Sequence, residues 1–302
     1  MIQLKNSIQI SAMIEAGRIT GEALLVAREH VREGISTKEL DTLIRRHIEK
    51  CGAKPSFLGY CGFPGSACIS INDEVIHGIP SEKRILREGD IVKIDVGAFY
   101  KGFHGDSART IPVGKVSDEA LKLIETTRNS FFCGVDALKV GNRMGDVGYA
   151  IQSCVEKEGF SVVKRYIGHG VGHELHESPD VPNYGTAGRG TRLCAGMTLA
   201  IEPMVNVGTE EVYELADGWT VKTKDGKWSA HYENTILITA GDPELLTDEQ
   251  KAELAKAAEE KEKPKTLDEQ KAALYENPVI KYLVVPEGIE VPVGLDRLAV
   301  II

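Results

Sequence analysis

The sequence predicts an α+β protein whose core is one unit used twice. Three observations carry this. Leu86, Gly89, Ile94 and Asp95 recur as Leu193, Gly196, Ile201 and Glu202, at the same offsets and 107 residues further on. Each copy follows two stretches with apolar residues at helical spacing. Each copy then ends in an apolar, strand-like run that closes on a carboxylate.

The elements follow in order. Residues 8–33 place Ile8, Met13, Ile14, Ala16, Ile19, Ala23, Leu24, Ala27 and Val31 on a helical stripe, with Gly34 as the stop. Ser36 with Glu39 three residues on is a capping box that opens a second helix, running to about Glu49 with Gly52 behind it. Residues 66–71 and 90–111 are rich in β-branched residues and read as strands. Residues 117–136 and 143–158 read as the second helix pair. Strands are predicted at 161–169, 197–207, 219–224 and 231–239.

Composition narrows the function. Hydrophobic residues make up 42% and charged residues 27%, an ordinary soluble balance. The net charge of −9 argues against a broad nucleic-acid surface. No apolar run reaches the length of a spanning helix, and the polar N-terminus lacks a signal core, so a cytoplasmic protein is expected. The six cysteines form no CxxC pair, so reduced, mostly buried thiols are expected. From Thr247 the composition shifts to Ala, Glu and Lys, and from Val279 it turns apolar with Pro and Gly punctuation. The expected domains are therefore 1–246 and a tail, 247–302, of charged helical linker and short apolar β segment.

Several residues carry chemistry. If Tyr100-Lys101 is a two-residue hairpin loop, Asp95 and Asp106 lie directly opposite on one face, about 5 Å apart. Like charges that close repel, and a bound cation removes the conflict; two solvated surface aspartates are the plain alternative. His169 lies between glycines, which lets backbone approach whatever the imidazole binds. His173 and His176 follow within eight residues, so a three-histidine zinc site stays open. The protease motif HExxH is not completed, because its fifth position is Glu177. Glu202 precedes a proline, and Glu233 lies in an apolar strand where a carboxylate is costly unless paired or metal-bound.

Taken in order, Asp95, Asp106, His169, Glu202 and Glu233 resemble the five metal ligands of the methionine aminopeptidases. The flanking segments match as well: Cys68 to Asn72, His77-Gly78-Ile79-Pro80, Gly102 to Asp106, Gly168-His169-Gly170 and Ile201-Glu202-Pro203. The resemblance spans about residues 3–246 and implies the pita-bread fold, with pseudo-twofold halves around a central antiparallel sheet and helices outside. Only 25 residues lie between His176 and Glu202, so the chain looks like the type I, bacterial form. The resemblance further implies two divalent metal ions, cobalt, manganese, iron(II) or zinc. Asp106 and Glu233 would bridge them, Asp95 would chelate one, and His169 with Glu202 would hold the other. A hydroxide between the metals would attack the peptide bond, with Glu202 taking or relaying the proton. His77 would contact the scissile amide nitrogen and His176 the carbonyl oxygen. Tyr60, Phe63, Cys68, His77 and Trp219 would line the methionine pocket.

The implied activity is removal of N-terminal methionine from nascent proteins and peptides with a small second residue. The implied partners are nascent N-termini and the ribosome, for a monomer with no membrane or specific nucleic-acid partner. Phe57, Cys61, His231 and Asn234 depart from the family pattern and bear on pocket width and metal preference. One rival is an Xaa-Pro-type aminopeptidase of the same fold, disfavoured because only 94 residues precede Asp95. Another is a non-enzymatic binding protein on this fold, disfavoured because all five ligand positions are filled.

Overall fold

A computed structural model describes residues 2–247. The tail expected from 247 lies outside them, apart from Thr247. Two helices, α1 (Ser7–His30) and α2 (Thr37–Lys50), precede a long hairpin of Ile91–Tyr100 and Phe103–Pro112. Helices α3 (Asp118–Asp136) and α4 (Met144–Lys157) precede the strands Gly168–Gly170, Thr198–Ile201 and Asn234–Leu237. Among the described residues, all the strand pairings are antiparallel.

The 107-residue repeat is present in the hydrogen bonds themselves. The Gly34 amide donates to the Leu86 carbonyl at 2.9 Å, and that of Gly141 to Leu193 at 3.2 Å. Leu86 donates back to Ile35, as Leu193 does to Asn142. Gly89 and Gly196 both turn through the left-handed region, at φ 93° and 90°, just before the strands that carry Asp95 and Glu202. Ser36 caps α2 through Glu39, as read from the sequence; at the equivalent end of α4 the Asp146 carboxylate accepts from the Arg143 amide.

Each half has its own core. Ile19, Leu24, Leu40, Ile44 and Ile48 from α1 and α2 pack on Ile69, Val92, Ile94 and Val96. Phe131, Val147 and Ile151 from α3 and α4 pack on Leu193, Leu199, Ile201 and Ile236. The halves meet where the amides and carbonyls of Ala108 and Glu233 bond reciprocally, at 2.9 and 3.3 Å. Alongside, Thr235 Oγ1 accepts from the Asp106 amide and donates to its carbonyl.

Several sequence-based boundaries need correction. Helix α1 ends at His30, where Val31 turns extended; Gly34 belongs to the turn tied to Leu86. The strand expected at 161–169 is two short strands, Ser161–Val162 and Gly168–Gly170. Those expected at 197–207 and 231–239 also split, at Glu202-Pro203 and at Tyr232-Glu233. Proline has no amide to continue a ladder, and Glu233 pairs across the halves instead. The hairpin loop is Lys101-Gly102, with φ 48° and 87°, not Tyr100-Lys101. Asp95 therefore pairs with Ala108 and Asp106 with Gly97. The slip is an even number of residues, so the two aspartates stay on one face, as diagonal rather than direct neighbours.

Substituting alanine at Gly89 should cost about 1–2 kcal/mol, because its added Cβ meets open space and only the backbone conformation is strained. Gly196→Ala should cost somewhat more, since its Cβ would also lie 3.3 Å from Leu4. Urea unfolding of both variants checks this; a neutral result in both would separate the two turns from the stability of the repeat.

Candidate metal centre and substrate cavity

The two halves bring all five sequence-predicted ligands to one cavity of about 200 Å³, which Asp95, Asp106, His169, Glu202 and Glu233 line together. Asp106, His169 and Glu233 are buried, and each places one donor atom within 4.8 Å of the others. His169 Nε2 lies 3.6 Å from Glu202 Oε1 and 3.8 Å from Asp106 Oδ2. Its Nδ1 lies 2.9 Å from the Gly170 carbonyl, which holds the ring and leaves Nε2 facing the carboxylates. The flanking glycines serve the sheet rather than the imidazole's ligand. A Cβ at Gly168 would stand 2.3 Å from the Ala200 carbonyl, and one at Gly170 would stand 2.5 Å from that of Ser178.

Burial, followed by mutual repulsion, pushes the carboxyls of Asp95, Glu202 and Glu233 well above the usual range. Burial lifts Asp106 to about 7 and lowers His169 to about 3. The site thus favours neutral forms of both acid and base until a cation enters. Asp95 Oδ1 and Asp106 Oδ1 are buried without a hydrogen-bond partner among the described residues. Four carboxylates and an imidazole with orphaned oxygens make a donor set that fits divalent metal. The Arg109 guanidinium fixes the Glu233 segment by donating to its carbonyl and to Asn234 Oδ1, and it lies over the Tyr232 ring.

The remaining predicted residues line the same cavity: His77, His176, Tyr60, Phe63, Cys68 and Trp219, with Phe57 and Cys61 beside them. Burial lowers His77 to about 4, with His176 adding to it, and burial lowers His176 as well. Both rings are therefore neutral at pH 7. Tyr60 Oη lies 2.9 Å from His176 Nδ1, and the His176 ring lies 4.0 Å from that of His169. His77 has φ 59°, a rare conformation outside glycine that recurs at functional sites. Phe63 and Trp219 meet edge to face at 5.0 Å. Burial and the nearby Asp95 keep Cys68 a thiol.

The three-histidine alternative is not assembled, because His173 packs against Phe103 and does not line the cavity. Sequence reasoning missed Leu175 in the cavity wall and Tyr166, whose ring meets His77 edge-on at 5.9 Å. An apolar residue between two histidines and a tyrosine in an irregular loop carry no periodic signal. A second group, Glu22, His47 and Cys51, joins α1 to α2. There Glu22 already pairs with Arg18, and His47 Nε2 lies 3.2 Å from Glu22 Oε2.

Asp106→Asn should lower metal affinity at least ten-fold, because it removes a buried charge from the centre of the group. With Asp106 titrating near 7, a cation binding at pH 6 must displace protons, so affinity rises as the pH rises toward 8. Calorimetry in buffers of different ionisation enthalpy measures this release; no release at pH 6 would contradict the assigned environment.

Comparisons with known proteins agree with this geometry. The family model for metallopeptidase family M24 matches residues 11–240. The methionine aminopeptidase of Clostridium acetobutylicum is 52% identical over 247 residues, which is 82% of this chain and 99% of that protein. The Escherichia coli enzyme is 44% identical, covering 82% of this chain and 94% of that one. The crystal structure of methionine aminopeptidase from Thermotoga maritima superposes with a TM-score of 0.81 at 44% identity, over 82% of this chain and all of that one. The prolidase of Pyrococcus horikoshii gives 0.67 at 26% identity, over 81% of this chain and 63% of that one. The duplicated α+β body with its carboxylate-lined cavity thus belongs to metallopeptidase family M24, within the methionine aminopeptidase branch.

Proposed function

We propose that this chain removes the N-terminal methionine from nascent proteins and peptides whose second residue is small. The observation that carries the reading is a single cavity lined by four carboxyl groups and His169 together with a thiol, aromatic rings and two further imidazoles. Two divalent cations, drawn from cobalt, manganese, iron(II) and zinc, would balance the four carboxylates. Asp95, Asp106, His169, Glu202 and Glu233 would hold them. When bound, such ions polarise the scissile carbonyl, acidify water and hold the substrate's free α-amine.

The chain's own residues supply the rest. Glu202, whose raised basicity suits proton transfer near neutral pH, takes the proton of the attacking water. A neutral His176 that accepts the Tyr60 hydroxyl proton at Nδ1 carries its own proton on Nε2. It can then donate to the carbonyl oxygen as negative charge grows there. His77, also neutral, lies where it can contact the amide nitrogen. Phe63, Trp219 and the Cys68 thiol form a soft apolar pocket suited to a thioether. No helix of the described residues is long and apolar enough to cross a membrane. The reading includes a cytoplasmic monomer that meets nascent chains at the ribosome.

His176→Ala should keep its metal content while kcat on Met-Ala-Ser falls on the order of 100-fold. Metal loss in that variant would place the histidine among the ligands instead. Failure of the wild-type protein, loaded with metal, to release methionine from Met-Ala-Ser would overturn the proposed activity, and efficient cleavage of Met-Lys peptides would overturn the small-residue rule. We further propose that residues after Thr247 take no part in the hydrolysis, since the family match ends at residue 240. Truncation after Thr247 keeps that residue's hydroxyl, which bonds Thr235 and Asn234, and should leave kcat/KM for a tripeptide nearly unchanged. A large change in either direction would tie the tail to the active site.

A further inference from the structure

His231 is 1% exposed, and both of its ring nitrogens lack a hydrogen-bond partner among the described residues. A buried imidazole left in that state bears the full desolvation cost of each unsatisfied nitrogen. The ring is not in an apolar pocket, where it could be read as core filling. Its Nε2 lies 3.6 Å from Glu202 Oε2 and 3.9 Å from Glu233 Oε2. Both separations are too long for hydrogen bonds. They match the spacing of donors that share a cation, since metal–nitrogen and metal–oxygen bonds near 2.0–2.2 Å set neighbouring donors roughly 3–4 Å apart. They also match His169, whose Nε2 lies 3.6 and 3.8 Å from its two carboxylates. Glu202 thus presents one oxygen to each imidazole: Oε1 to His169 and Oε2 to His231.

We propose that His231 is a sixth protein ligand of the metal centre, its Nε2 binding a divalent cation beside Glu202 and Glu233. The assignment rests on the metallopeptidase reading above. It gives Nε2 the partner that the protein does not provide. The backbone holds the ring in place: the His231 amide donates to Thr110 Oγ1 at 2.8 Å, and the Thr110 hydroxyl donates to the His231 carbonyl at 2.8 Å. A second imidazole also makes the donor set softer, which favours zinc and cobalt over manganese.

Zinc K-edge X-ray absorption on the full chain loaded with two equivalents of zinc tests this without activity, because imidazole multiple scattering counts the histidine ligands. Two imidazoles per two-zinc site are expected in the wild-type protein and one in His231→Gln. One imidazole in the wild-type protein overturns the inference, and that result needs no variant to fold. In the same pair of proteins, the Kd for zinc should rise on the order of ten-fold more than the Kd for manganese, since only a direct nitrogen ligand discriminates between the two metals. An equal loss for both metals would make His231 a positioning residue for Glu202 and overturn ligation. A wild-type chain that takes up no zinc would instead overturn the metallopeptidase reading itself, a result distinct from either.

Discussion

Four carboxyl groups and the His169 imidazole crowd one small cavity, with His231 buried against two of the carboxylates, and the rest of the molecule is arranged around the cost of keeping them there. Left alone, they are driven toward their uncharged forms: burial raises Asp95, Asp106, Glu202 and Glu233 and depresses His169 and His231. Among the described residues, no lysine or arginine lines the cavity to offset the acids. Multivalent cations are the remaining compensation, and the unpartnered oxygens of Asp95 and Asp106 face the same requirement.

The duplication explains how a chain can hold such a group rigidly. Each half supplies one carboxylate at the same point of the same motif, Asp95 after Gly89 and Glu202 after Gly196. Each half is braced by its own helix pair and its own core. The carboxylates where the halves join, Asp106 and Glu233, lie on segments bonded directly to one another through Ala108 and Thr235. In α1, the Thr20 hydroxyl donates to the Gly105 carbonyl and accepts from the Ala98 amide, which fixes the hairpin one residue before Asp106. Side chains held by such a scaffold need little rearrangement to receive their ions.

Much of this was legible in the sequence. The four helices and the capping box at Ser36 follow from local spacing, which these segments obey because their contacts are local, and the 107-residue repeat follows from residues recurring at matched offsets. The five candidate ligands and the candidate pocket residues singled out in the sequence line one cavity. The hairpin register was not. Lys101 enters the left-handed region without being glycine or asparagine, so the loop was placed one residue early. The splits at Glu202-Pro203 and Tyr232-Glu233 also escaped, because pairing across the halves decides them and no sequence period reports that. His231 looked like an isolated departure until burial and its distances to Glu202 and Glu233 gave it a context.

The neutral histidines define how the site divides its work. His77 and His176 line the cavity as uncharged rings, where they can donate or accept a hydrogen bond but not repel a cation, and the His176 ring lies 4.0 Å from that of His169. His169 and His231 stand among the acids. The central claim is that the acids gather to hold two cations, and anomalous diffraction from crystals soaked in manganese tests it most directly. The account predicts two peaks in the cavity about 3.5–4 Å apart, both in contact with the carboxylates of Asp106 and Glu233. No peak in the cavity, or a peak only at Glu22, His47 and Cys51, would contradict it.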